Sequence, residues 1–193
     1  NTLIQSGVNS FGSVVMAAWA AYTKTDAVTW MISGAFGVAI TTFVGQNYGA
    51  HKFDRVRQSV RVCLAMSICT VGVLSLTIVA FRSTILGIYT ADSQVIETGS
   101  FIMSVIMPFA AVFMPVEIFA GTMRGMGDSV KPTVVICLSV CVVRVLWLAT
   151  VVRWHHALVL LCVCYPMTWT LAAAIFLYIY FHNFRKRLVE EAQ

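Results

Sequence analysis

Residues 134–152 read VVICLSVCVVRVLWLATVV, nineteen positions with a single charge, at Arg144. A helix that crosses a bilayer needs about 20 mostly apolar residues. In hydrocarbon the backbone N–H and C=O groups meet no water, so such a run must be helical. Working outward, Cys63 to Ala80, Phe101 to Ala120 and Ala157 to Phe181 are also apolar and long enough to span, and charged or turn-rich joints separate them. Pro108 and Pro115 in the second of these, and Pro166 in the last, predict kinks, which membrane helices tolerate when neighbours satisfy the freed carbonyls.

Composition agrees. Of 193 residues, 59% are hydrophobic and 11% charged, with mean hydropathy +0.84, whereas soluble domains carry about a quarter charged residues. The fold class expected is an all-α membrane protein, with room for five or six spans in one domain. A net charge of +5 does not point to nucleic acid, because the basic residues lie in short runs between apolar stretches. That distribution sets orientation instead. The joint at His51 to Arg61 (Lys52, Arg55, Arg57, Arg61), the joint at Arg124 to Lys131 and the tail with Arg185, Lys186 and Arg187 hold nine of thirteen Lys and Arg. The opposite joints hold Arg82 and Arg153. The positive-inside rule then predicts that the first set, and the C-terminus, face the cytoplasm.

The first 46 residues allow two readings. Two spans, Leu3 to Tyr22 and Ala27 to Gln46, could be joined by a turn at Thr23 to Asp26. Alternatively the tail of one helix ends near Asn9, and a single long helix runs from Val14 to about Gln46. The six cysteines lie in apolar runs without CxxC or His/Cys spacing, and His155 and His156 have too few neighbouring ligands for a metal site. No clustered nucleophile or paired acids are visible, so neither an enzyme nor a metal or cofactor is expected. A purely structural membrane subunit would not need charges buried in its spans.

Two motifs suggest a family. Val44-Gly45-Gln46-Asn47-Tyr48-Gly49-Ala50 closes one helix before a basic amphipathic stretch, and Met123-Arg124-Gly125-Met126-Gly127-Asp128-Ser129-Val130-Lys131-Pro132 closes the helix carrying Pro115. Together they resemble the second half of the multidrug and toxic compound extrusion family, in its DinF-like branch, along essentially the whole chain. The resemblance implies the long-helix reading, with about five complete spans and the end of a sixth. It further implies a C-terminal bundle over residues 1–182, a cytoplasmic tail over 183–193, and partnership with an N-terminal six-helix half. The implied activity is export of small organic, often cationic, compounds in exchange for H+ or Na+, across the inner (plasma) membrane and surrounded by its lipid. A lipid-linked oligosaccharide flippase of the same superfamily is the alternative, but it should line its cavity with several basic residues, and only Arg144 is deep here.

Charges inside spans cost about 2.5–3.5 kcal/mol at mid-bilayer and mark candidate sites. Glu117 lies roughly 10 Å inside the boundary at Arg124. Helical spacing puts it on a stripe with Phe109, Phe113 and Gly121. An acid on aromatic rings suits a flat cation or a coupling ion; the competing reading is a structural pair with Arg144, roughly 18 Å inside the same boundary. NorM-type relatives carry a functional Asp about one turn earlier, where this chain has Phe113 and Met114, so Glu117 matches by face and not by position. On the long helix Trp19, Tyr22, Asp26, Trp30, Ser33 and Gly37 form one face, read either as the acidic aromatic wall of an outward-opening cleft or as interfacial anchoring. Lys24 points elsewhere. Gly45, Gly49, Gly125 and Gly127 are expected at turns and helix ends, and Asp128 as a helix cap with Pro132 in the first turn.

Overall fold

A computed structural model describes residues 7–152, 154 and 157–184. Five helices are long and apolar enough to cross a membrane: α1, Ser13–Gly49; α2, Phe53–Ala80; α3, Ser93–Gly125; α4, Val130–Val152; and α5, Leu158–His182. No strand occurs among the described residues. A short helix, Arg82–Gly87, lies in the joint between α2 and α3. Arg153, His155, His156, the basic tail and residues 1–6 fall outside the described residues; residues 7–9 are helical, where the tail of a preceding helix is expected.

The open choice at the N-terminus resolves to one helix of 37 residues. Thr23 to Asp26 looks like a turn because its side chains are polar, but each finds a partner without breaking the helix. The hydroxyls of Thr23 and Thr25 donate to the carbonyls of Ala20 and Ala21. Asp26 accepts from its own helix, and the Lys24 ammonium lies 5.7 Å from the centre of the Tyr89 ring.

The prolines act as expected in α3. Between Ile106 and Met114 the helix tightens to a 3-10 form over Met107–Phe113, because Pro108 and Pro115 each lack an N–H for the α-helical ladder. This segment corrects the Phe109–Phe113–Glu117–Gly121 stripe. Four residues of 3-10 helix turn about 80° further than four of α-helix. Phe113 is therefore 8% exposed while Phe109 is 43% exposed. In α5, by contrast, the helix continues through Pro166 from Leu158 to Ile179.

Glycines bring α1 and α3 together. A methyl on Gly125 would lie 2.6 Å from the Thr41 carbonyl and 3.1 Å from the Gly45 nitrogen, and one on Gly121 would meet Ile40 and the Gly37 carbonyl at 2.7 and 2.9 Å. The Thr41 hydroxyl lies 2.7 Å from the Gly37 carbonyl and 3.1 Å from that of Gly121, joining the two helices. Small residues that let backbones approach are the usual packing device where lipid removes the hydrophobic drive. Gly45 therefore serves packing inside α1, and Gly125 serves packing as well as ending α3. Gly127, at φ +87°, serves the turn, and Gly49 ends α1. Asp128 accepts from the Lys131 N–H at 3.2 Å and pairs with its ammonium at 2.8 Å, capping α4, whose first turn holds Pro132.

Gly125→Leu should force α1 and α3 apart. Overpacking of this kind costs about 1–3 kcal/mol, so the melting temperature in detergent should fall by several degrees. Gly34→Leu, on α1 with nothing within 4 Å of a new Cβ, should leave it unchanged.

Candidate functional site

The site residues gather where α1, α3, α4 and α5 meet. Helical spacing places Tyr22, Asp26 and Trp30 one turn apart on α1. The Asp26 carboxylate accepts from the Tyr22 hydroxyl at 3.2 Å and the Trp30 indole N–H at 2.7 Å. Among the described residues it has no cationic partner within 4.0 Å. Trp30 in turn meets Phe113 of α3 edge-on, with ring centres 5.0 Å apart, and Trp169 of α5 at 6.1 Å. Trp19, Tyr22, Tyr165 and Trp169 continue the chain of rings from α1 to α5.

Inside this cluster Asp26, Thr29, Trp30, Ser33, Ala110, Phe113 and Trp169 line a cleft of about 10 Å³. A single water needs about 10–15 Å³, so the cleft has the size of an ion or a water and not of an organic molecule. Part of this face, at Trp30, meets α3 and α5 through Phe113 and Trp169, while Trp30 itself stays 42% exposed. Ser33 donates to the Thr29 carbonyl, whereas the Thr29 hydroxyl oxygen is buried without a hydrogen-bond partner. An unpaired buried hydroxyl costs roughly 1–3 kcal/mol. Here it lines the same cleft as a carboxylate.

Glu117 and Arg144, whose pairing was the competing reading of Glu117, are not a pair. Glu117 instead accepts from Arg124 at 3.2 Å, both side chains remaining partly exposed. Its carboxylate lies against Gly37, where a methyl would collide with it. Seven residues are two helical turns, so the long Arg side chain reaches back along its own helix. Arg144 turns the other way. Its guanidinium stacks on Tyr165, 4.1 Å from the ring centre, and donates to the Thr168 hydroxyl at 3.0 Å. It stands in Val143–Trp147, between two π-wound stretches, Cys137–Val142 and Leu148–Val152. Cation–π attraction is strongest where the cation is desolvated, and it accounts for an arginine held mid-span without an acid.

Sequence reasoning found Asp26, Tyr22, Trp30, Phe113 and Arg144, all of which the fold brings to this cluster. It missed Thr29, Tyr165, Thr168 and Trp169. Thr29 carried a signal, lying three residues after Asp26 on the same face. The α5 residues carried none, since which side of an all-apolar helix faces inward depends on its neighbours. Glu117 sits apart, at the level of the glycine contact. Of the motif residues, Gln46 is exposed, and Gly45, Arg124 and Gly125 lie at the α1–α3 crossing.

If Glu117 and Arg144 are independent, their effects on stability should add. Glu117→Gln and Arg144→Met, melted singly and together in detergent, should combine to within about 0.5 kcal/mol. Glu117→Gln with Arg124→Gln should depart from additivity, by at most about 1 kcal/mol for so exposed a pair.

Comparison with known proteins places this geometry. A family model, MatE, matches residues 1–150. The probable multidrug resistance protein YoeA of Bacillus subtilis is 27% identical over 140 residues, 72% of this chain and 30% of the relative. The probable multidrug resistance protein NorM of Thermotoga maritima is 24% identical over 151 residues, 75% of this chain and 32% of the relative. Among solved structures, the Vibrio cholerae MATE transporter VcmN in its bent form superposes with a TM-score of 0.82 at 16% identity, covering 96% of this chain and 41% of that one. A MOP superfamily transporter from Pyrococcus furiosus superposes with a TM-score of 0.86 at 13% identity, covering 100% and 45%. The chain thus spans about a third of the length of these curated relatives and under half of these structures.

Proposed function

We propose that this chain, which belongs to the MatE family, is the C-terminal bundle of a cation-coupled exporter of small organic, often cationic, compounds. A second, N-terminal bundle of six helices completes the transporter. The two rock about a shared site in alternating access, and substrate and coupling ion favour different states. Residues 1–182 form the bundle and 183–193 a tail. The protein resides in the inner (plasma) membrane and catalyses no covalent chemistry.

The observation that supports the reading best is the cleft at Asp26. A carboxylate with no counter-ion among the described residues, an unpaired Thr29 hydroxyl and the rings of Trp30, Phe113 and Trp169 line a space the size of one ion. A proton or a monovalent cation would relieve both the charge and the orphaned hydroxyl. Asp26 therefore takes the coupling role that spacing had given to Glu117, since Glu117 already has Arg124. The ion-sized cleft leaves the organic substrate to the surface between the two bundles. A flippase for a pyrophosphate-linked lipid is disfavoured, because Arg144 is committed to Tyr165 and Thr168 and no second deep basic residue stands beside it among the described residues.

In the complete transporter Asp26→Asn should still fold and reach the membrane, because Asn keeps the shape and can accept the same two hydrogen bonds. Ethidium efflux from cells should fall at least tenfold. Thr29→Val should weaken the dependence on the coupling ion by roughly 2–10-fold, the value of one neutral hydrogen bond. Undiminished efflux by Asp26→Asn across the pH range would remove Asp26 from the mechanism.

Orientation follows from charge. The joints at Lys52 and Arg124 lie at one end of the bundle by helix alternation, and the excess of Lys and Arg there assigns that end, and the C-terminus, to the cytoplasm. Single cysteines at Lys52 and Arg124, in a cysteine-free background, should resist an impermeant thiol reagent in intact cells; rapid labelling from outside would reverse the assignment.

A further inference from the structure

A groove of about 680 Å³ runs between α1 and α2, at the Gln46 end of α1. Phe36, Ile40 and Phe43 form its α1 wall, and Val62 and Met66 its deep α2 wall. Sites for small apolar ligands occupy about 300–1,000 Å³, so the space suffices for one elongated molecule. Its polar groups stand at one end only. Arg55 and Gln58, in the first two turns of α2, line the mouth and are exposed. Neither has a hydrogen-bond or ion-pair partner among the described residues, whereas neighbouring Arg57 pairs with Asp54 at 3.6 Å. Ser59 stands beside them; its hydroxyl donates to the Val56 carbonyl and keeps lone pairs free.

The dimensions identify the occupant. From Arg55 to Met66 is eleven residues, about 16 Å along the helix, which matches one leaflet, half of a hydrocarbon core about 30 Å thick. A free guanidinium at headgroup level, above an apolar trough one leaflet deep, is complementary to a phosphate with an acyl chain hanging from it. Lys52 and Arg61 on the same joint add to the positive field, and basic pockets between spanning helices are where anionic headgroups bind. A drug-like cation would be repelled at the mouth.

We infer that the α1–α2 groove is a binding site for an anionic phospholipid, its phosphate held by Arg55 and Gln58 and one acyl chain lying along Phe36, Ile40 and Met66. A lipid there would brace α1, the helix that carries Asp26, two or more turns along it from that acid.

Native mass spectrometry of the protein with its native flanking sequence, delipidated and titrated with phosphatidylglycerol, phosphatidylcholine or glycerophosphoglycerol, tests this. Phosphatidylglycerol should bind at least tenfold more tightly than phosphatidylcholine, and the chainless headgroup should not bind. Arg55→Gln should abolish the preference. Ala39→Trp, which fills the trough from an exposed position and leaves the charge, should reduce retention of both lipids. Arg61→Gln, outside the groove, removes only part of the general field and should weaken the preference far less than Arg55→Gln. Equal losses for Arg55→Gln and Arg61→Gln would reduce the effect to a diffuse basic belt and overturn the site, as would unchanged binding in Ala39→Trp. Ethidium efflux reports separately on the exporter reading, so the two fail independently.

Discussion

The rest of the bundle depends on the close approach of α1 and α3. Thr41 bridges the Gly37 and Gly121 carbonyls, while Gly45 and Gly125 let the two backbones meet. In lipid no hydrophobic force drives helices together, so contact distance and interhelical hydrogen bonds have to do it. Once the crossing is fixed near the basic end, the directions of both helices are fixed at the other. Trp30 then meets Phe113 edge-on, and Asp26 stands between Tyr22 and Trp30. A side chain at any of these glycines would move the acid relative to its neighbours without touching it.

The same geometry separates charges that a linear reading would join. Glu117 lies at the crossing and is answered by Arg124, while Arg144 faces α5 and is answered by a ring and a hydroxyl. Of the two acids, Asp26 is the one whose partners are neutral, the Tyr22 hydroxyl and the Trp30 indole. A charge satisfied by neutral groups is the one whose occupancy an ion or proton can change at least cost, because no salt bridge must break first. This distinction makes Asp26 the centre of the proposed mechanism.

Much of this was legible in the sequence. Length and hydropathy gave the spans, because a bilayer imposes helix and a minimum run, and period-3.6 spacing put Tyr22, Asp26 and Trp30 on one face. The resemblance carried by the motifs at Gly45 and Gly125 matches the family to which the chain belongs. Three things were not legible, each for a physical reason. Composition left the Thr23–Asp26 segment open between turn and helix, and only the resemblance favoured helix, because its polar side chains find their partners inside the helix. The Phe109 stripe fails because two prolines change the helical pitch between Phe109 and Glu117. The Arg144 partner could not be found by depth alone, because lateral placement of an apolar helix is set by neighbours whose own faces are ambiguous.

The central claim is that the Asp26 cleft holds the coupling ion, and ion movement can be read directly on the purified transporter. Tetraphenylphosphonium is added to protein in a weakly buffered solution with a pH indicator, or to protein equilibrated with radioactive sodium. The account predicts that binding expels a proton or displaces sodium from the native protein, and that Asp26→Asn, binding the same ligand, expels neither. An equal release from Asp26→Asn would place the ion elsewhere and contradict the account.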